Sequence, residues 1–336
     1  TLQKMRWLIT GGCGFIGRSL ISKLVEYEVP LGHIRVLDNL KVGTESDLRN
    51  VVNGAVADNR DWSAEGKELC LIRGDIRQRS DVLRAVTGCD VVVHLAACTG
   101  VQPSVEDPHS DAEVNVLGTL NCLDAARLRG VSRFVLASSG APLGEVEPPI
   151  HEKILPKPIS PYGASKLAAE AYCSVYKACF KLDTVSLRFG NVYGPLSSRK
   201  ESVVARFIKR ALSGDDLEIY GDGTATRDYI FSEDLVEAII LSARKSDVGG
   251  EVFQIATNRE TTVKELVEQL LIVLREFGIQ QVEIRHSDAR AGDMPRNYSD
   301  TSKAREILGW VPNTSLKEGL KTTVKWFLEQ ESKGSR

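Results

Sequence analysis

Thr10-Gly11-Gly12-Cys13-Gly14-Phe15-Ile16-Gly17 is the stretch that decides how this chain folds. Ahead of it, Met5 to Ile9 reads as a short strand; after it, Phe15 to Glu28 has the spacing of an amphipathic helix. Ile34 to Leu37 is the next strand, so the glycines occupy the first turn of a βαβ unit. Gly12, Gly14 and Gly17 there allow a tight turn, close approach of backbone to a pyrophosphate and close packing of the helix, whose N-terminal amides face the anion. Asp38 ends the second strand about 20 residues after Gly17, where a carboxylate accepts hydrogen bonds from an adenosine ribose and repels a 2′-phosphate. The segment therefore predicts a dinucleotide site for NAD rather than NADP.

The alternation continues downstream. Leu69 to Ile72, Val91 to Leu95, Phe134 to Ala137 and Thr184 to Leu187 are apolar strand-like runs, with helical stretches near 80–87, 110–129 and 160–181 between them. Such runs predict an α/β fold: a doubly wound Rossmann-type parallel sheet covered on both faces. The polar stretch Asn53 to Lys67 reads as an insertion, a surface loop or short helix. After Ser197 the pattern loosens into a helix near 201–212, the turn Tyr220-Gly221-Asp222-Gly223, short strands, and helices near 262–277 and 316–329. The expected division is a cofactor-binding domain over 1–196 and a smaller C-terminal α/β substrate-binding lobe over 197–336, with room for the chain to cross back.

Composition narrows the ligand. A formal net charge of −2 on 336 residues offers no basic field for nucleic acid or membrane, so phosphate recognition must be local. The seven cysteines are scattered, with no CxxC pair, which reads as reduced thiols in a cytoplasmic protein. No apolar run reaches the length of a membrane span, and the sequons at Asn297 and Asn313 read as chance matches. No metal-ligand spacing is present, and His94 at a strand end reads as structural.

Tyr162 and Lys166, in Pro161-Tyr162-Gly163-Ala164-Ser165-Lys166, supply acid/base chemistry. A phenol is a weak base at neutral pH, and an ammonium one helical turn away is expected to favour the phenolate. The pair suits removal of a proton from an alcohol, with the dinucleotide as hydride acceptor.

Further segments carry a resemblance: TGGCGFIG (10–17), LDNL (37–40), GDI (74–76), HLAA (94–97), VNVLGTLN (114–121), SPYGASK (160–166), RFGNVYGP (188–195), YGDGTATRDYIF (220–231) and RAGDMPRNYSD (290–300). In these the chain resembles the extended short-chain dehydrogenase/reductase superfamily, and within it the nucleotide-sugar epimerases of the UDP-galactose 4-epimerase type. The resemblance implies a cofactor site of Gly11, Gly14, Phe15, Ile16, Gly17, Asp38, Asn39, Asp75, Ile76, Ala96, Ala97, Tyr162 and Lys166. It also implies that Ser139 bonds the sugar hydroxyl and relays its proton, that Asn191, Arg227 and Arg290 hold the diphosphate of a UDP-sugar, and that the protein is a homodimer. Helices near 110–129 and 160–181, with Leu117, Leu120, Ala125, Leu167, Ala168 and Ala171, are the expected dimer face.

The implied reaction is a 4-epimerisation. Tyr162 takes the C4 hydroxyl proton while hydride passes to NAD, the 4-keto sugar turns over, and hydride returns to its other face. Two departures bear on the substrate. Leu143 stands where the family commonly has tyrosine, and Asn297, seven positions after Arg290, stands at the family's sugar gate, where its amide predicts tolerance of an N-acetyl group or a C6 carboxylate. Arg199 could pair with such a carboxylate or be solvated. The 4,6-dehydratases and UDP-glucuronate decarboxylases of the superfamily usually carry an acidic residue beside the catalytic hydroxyl; here Gly140 follows Ser139, which favours epimerisation. A non-catalytic NAD-binding scaffold is the rival from another class, opposed by the intact Ser139, Tyr162 and Lys166.

Overall fold

Trp7–Thr10, Ile34–Asp38 and Val91–His94 are buried at every residue, as only a sheet covered on both faces allows. The computed structural model describes residues 1–58, 66–288 and 295–334. Its first part runs β1 (Trp7–Thr10), α1 (Phe15–Glu26), β2 (Ile34–Asp38), α2 (Glu45–Val51), β3 (Val56–Asp58), β4 (Leu69–Arg73), α3 (Arg79–Val86) and β5 (Val91–His94). Then come α4 (Val101–Glu106), α5 (Pro108–Ala112), a π-helical stretch at Glu113–Gly118, α6 (Thr119–Leu128), β6 (Arg133–Ser139), α7 (Pro161–Phe180) and β7 (Asp183–Phe189). The remainder holds β8 (Asn191–Tyr193), α8 (Val203–Leu212), β9 (Leu217–Tyr220), β10 (Thr226–Arg227), β11 (Tyr229–Phe231), α9 (Ser232–Arg244), β12 (Val252–Ile255), β13 (Thr261–Thr262), α10 (Val263–Glu276), β14 (Ile284–Ser287) and α11 (Leu316–Gly334).

Eight of these strands form one sheet in the order β12-β7-β6-β5-β1-β2-β4-β3, every pair parallel. Alternation sends Trp7 and Ile9 into the core under α1 and α9, and Leu8 into the core under α3, α6 and α7. The doubly wound sheet expected from the sequence is present. Because β1 lies between β2 and β5, the winding reverses there, and the crevice beyond the strand ends opens beside the glycine turn.

A smaller lobe has its own core, in which Phe207, Ile208, Leu266, Leu270, Leu320 and Val324 join α8, α10 and α11. Between the parts of this lobe the chain returns to the sheet: α9 packs on α1, and β12 becomes the strand beside β7. Trp310 joins the same core and donates its indole N–H to Asp234 O at 2.9 Å.

One expectation fails within Asn53 to Lys67. Val56–Asp58 is neither loop nor helix but the edge strand β3, paired parallel with β4; residues 59–65 lie outside those described. Three residues are too few to show a period, and their strand character comes from pairing with β4. Also unforeseen is α2, although Thr44 and Asp47 form its capping box, with Asp47 N donating to Thr44 Oγ1 at 3.1 Å.

Gly11 has φ +70°, and a Cβ there would lie 2.8 Å from Ala96 N. Left-handed backbone is costly for a residue with a side chain, and the clash adds to it. Gly11→Ala is expected to lower stability by about 1–3 kcal/mol, read as a fall in Tm by thermal unfolding. An unchanged Tm would show that β1 and β5 can move apart freely.

Candidate active site

Beyond the strand ends lies a cavity of about 410 Å³, lined by Gly11, Gly14, Phe15, Ile16, Gly17, Asp38, Asn39, Asp75, Ile76, Ala96, Ala97, Ser139, Tyr162, Lys166 and Asn191. This volume lies in the range of small-molecule and cofactor pockets. All the cofactor residues named from the sequence are thus brought to one place, together with Ser139.

The glycines have different reasons. A Cβ at Gly17 would lie 2.5 Å from Gly12 Cα, so the third glycine is required by helix packing. At Gly14 a Cβ would meet only Gly11 O, at 3.2 Å, so glycine there keeps the cavity wall open for close approach of a ligand. Gly14 also begins α1 without any side-chain cap, which leaves the first helical amides available to an anion. Asp38 accepts from Cys13 N at 2.9 Å and Leu40 N at 2.8 Å; burial pushes its carboxyl upward and these amides oppose the shift. Asp75 is held by Arg77, which brings its pKa to about 2, and by Asn39 Nδ2 at 3.3 Å. Glycine turn, uncapped amides and the two cavity-lining carboxylates Asp38 and Asp75 together fit a dinucleotide.

The three residues expected from the sequence to be catalytic sit where α7 crosses the end of β6. Ser160 caps α7 by accepting from Gly163 N at 3.1 Å, so the helix begins immediately before Tyr162. Tyr162 and Ser139 both line the cavity, and the Ser139 side chain acts on the Tyr162 phenol. Lys166 is buried, and its Nζ donates to Ala137 O at 2.9 Å.

The electrostatics depart from the expected pairing. Burial raises the Tyr162 phenol and the Ser139 side chain partly offsets that rise, whereas Lys166 does not act on it. Its Nζ lies 5.8 Å from the Tyr162 ring centre and is turned to the β6 carbonyl. Burial brings Lys166 itself down to about 8, with Asp111 and Glu170 acting in the opposite sense.

Asn115, within the segment VNVLGTLN (114–121), does not line the cavity but braces residues that adjoin it. Its Nδ2 reaches Cys98 O at 3.0 Å, Asp111 Oδ1 at 2.9 Å and Ser165 Oγ at 3.2 Å, tying the loop after β5 to α7. It lies in the π-helical stretch, a distortion common at functional sites. Leu143 is fully buried and serves packing.

The residues expected around the substrate are brought together in part. Asn191 lines the cavity, and its backbone N donates to Asp228 O at 2.8 Å, next to Arg227. Asn297 N donates to Thr226 Oγ1 at 3.2 Å, so Asn297 lies against β10, the strand that carries Arg227; neither residue lines the cavity. Arg290 lies outside the described residues. Arg199 is exposed, as the solvated reading expects, and its Nε donates to Asp47 Oδ2 at 2.8 Å, on the side of α2.

Residues 7–256 match the family described as NAD dependent epimerase/dehydratase. The chain belongs to that family. It is accordingly an enzyme whose cofactor is NAD. A protein named UDP-glucose 4-epimerase from Mycolicibacterium smegmatis is 36% identical over 328 residues, spanning 96% of this chain and 98% of its own. A UDP-N-acetyl-alpha-D-glucosaminuronate decarboxylase from Bacillus cytotoxicus is 32% identical over 341 residues, covering 98% of this chain and 100% of its own. Among solved structures, UDP-glucose 4-epimerase of Thermotoga maritima with UDP-glucose has a TM-score of 0.85 at 34% identity, over 97% of this chain and 100% of that one.

His94 is the buried support under this family's strand-end motif. Its Nδ1 meets Thr10 Oγ1 at 2.8 Å and its Nε2 meets Thr119 Oγ1 at 3.0 Å; Thr119 in turn donates to Asn115 O, so Nε2 is the donor and the ring is neutral. Burial holds its pKa near 3, against about 6.5 in an unfolded chain. As pH falls below about 6.5 the unfolded chain therefore binds a proton that the fold does not, and stability declines toward pH 3. The Tm gap between wild type and His94→Gln is expected to narrow from pH 7 to pH 4; a constant gap would show that His94 titrates normally.

Proposed function

We propose that this enzyme catalyses 4-epimerisation of a UDP-hexose through a transient 4-keto sugar. The observation that carries the reading is that Ser139, Tyr162 and Lys166 line the same cavity as Gly14 and Asp38, at the end of β6. Ser139 and Tyr162 bind the C4 hydroxyl; Tyr162 takes its proton and later returns one to the C4 oxygen, after the ring has turned its other face. Bound NAD supplies the acceptor and donor for the C4 hydrogen, and its positive ring favours the phenolate that burial disfavours. Lys166, which already holds the β6 carbonyl, would also hold the cofactor's ribose. Arg227 and Arg290 are the arginines that the resemblance assigns to the diphosphate; bidentate contacts from them would anchor it so that the sugar alone rotates.

Elimination to a 4,6-dehydrated sugar needs a second proton transfer. Gly140 offers none, and a Cβ there would meet nothing within 4 Å, so an acid is missing by composition and not for want of space. Asn297, smaller than tyrosine and able to donate and accept, supports a pocket that takes a polar substituent at C2 or C6.

The test is turnover of UDP-glucose, UDP-N-acetylglucosamine and UDP-glucuronate without added oxidant, with products separated and weighed. A 4-epimer of unchanged mass is expected; loss of water or carbon dioxide would assign the dehydratase or decarboxylase reaction instead. Tyr162→Phe should fold and retain NAD while kcat falls about 10²–10⁴-fold. Near-normal turnover would show that another group moves the proton.

A homodimer is part of the same proposal. Leu117, Leu128, Tyr172, Val175 and Phe180 are exposed on the α6 and α7 side, more apolar surface than a lone helix pair needs to show. Ala125, counted for this face from the sequence, is instead buried in the core. Light scattering at micromolar concentration should give twice the 36.9 kDa chain mass, and a single chain mass would refute the assembly.

A further inference from the structure

Behind the catalytic trio lies a buried charged cluster that the proposed reaction does not use. Glu170 stands one helical turn beyond Lys166 on α7, and Arg188 stands on β7 directly opposite Ser138 of β6. Glu170 Oε1 accepts from Ser138 Oγ at 2.5 Å and from Arg188 Nε at 2.9 Å, and Oε2 accepts from Arg188 Nη2 at 2.7 Å. Both charged side chains are 5% exposed.

Three residues of α7 therefore face successive residues at the end of β6. Lys166 Nζ donates to Ala137 O, Glu170 accepts from Ser138 Oγ, and Tyr162 shares the cavity wall with Ser139. The partners on the helix are four residues apart, on one face. Stability does not account for the cluster. Burying an ion pair costs as much as it returns, apolar residues of similar size serve a core at least as well, and Arg188 Nη1 is left without a partner. What a bidentate pair adds is direction: it fixes where α7 lies along β6 and β7, whereas apolar contact permits sliding.

We propose that Glu170, with Arg188 and Ser138, is a positioning residue of the reaction, locking α7 in the register that sets Tyr162 beside Ser139 in the cavity wall. The inference rests on Tyr162 and Ser139 being the proton-handling pair. A reacting group displaced by about 1 Å can lose about 10²-fold in rate.

The test uses the NAD-loaded enzyme. Glu170→Gln, which keeps an acceptor for Ser138 but removes the charge opposite Arg188, is expected to lower kcat about 10–100-fold with KM within about twofold of wild type. The decisive variant removes all polarity at once: Glu170→Met with Arg188→Met and Ser138→Ala. This triple should melt at or above the wild-type temperature, because nothing buried is left unpaired, and yet show the same fall in kcat. A well-folded triple turning over at the wild-type rate would overturn the inference. Failure of wild type to epimerise any sugar nucleotide would count against the proposed function alone. Crystal structures of wild type and triple would then decide: a displaced Tyr162 hydroxyl upholds the positioning role, and an unmoved one rejects it.

Discussion

No side chain can stand at position 11. The backbone of Gly11 passes so close to Ala96 that a Cβ would overlap its amide nitrogen, and its φ of +70° suits glycine. That contact brings the end of β1 and the residues following β5 together at the place where the sheet's winding reverses. The uncapped start of α1, Asp38 at the end of β2 and Ala96 after β5 then face one crevice. A binding site follows from strand order and one close backbone contact, before any catalytic group is considered.

Across that crevice, burial is the dominant electrostatic influence. It raises the Tyr162 phenol, lowers Lys166 to about 8, raises Asp38 and keeps His94 neutral. Each shift disfavours charge in the protein alone. A site built in this way gains from a ligand that brings its own charges, an oxidised nicotinamide beside the phenol and a diphosphate at the helix N-terminus.

Much of this was legible in the chain. The glycine turn has a role only between a strand and a helix, and the apolar runs on either side supplied both. Tyr162 and Lys166 were visible as an i, i+4 pair, and Ser139 through resemblance. Contacts between distant segments were not legible. β3 is strand because β4 lies next to it, and Arg199 is engaged because Asp47, 152 residues earlier, faces it. Lys166 was expected to act on the phenol by sequence proximity, but a lysine side chain is long, and the β6 carbonyl captured its Nζ. Glu170 and Arg188 read as ordinary helix and strand residues until the register of β6 on β7 set Ser138 and Arg188 opposite each other.

The central claim is that Tyr162 handles only the hydroxyl proton, while the hydrogen on C4 never reaches solvent. UDP-glucose carrying deuterium at C4, incubated with the purified protein in ordinary water without added NAD, tests it most directly. The account predicts a 4-epimer that keeps its deuterium at C4. Loss of that deuterium to solvent, or no epimer at all, would contradict it.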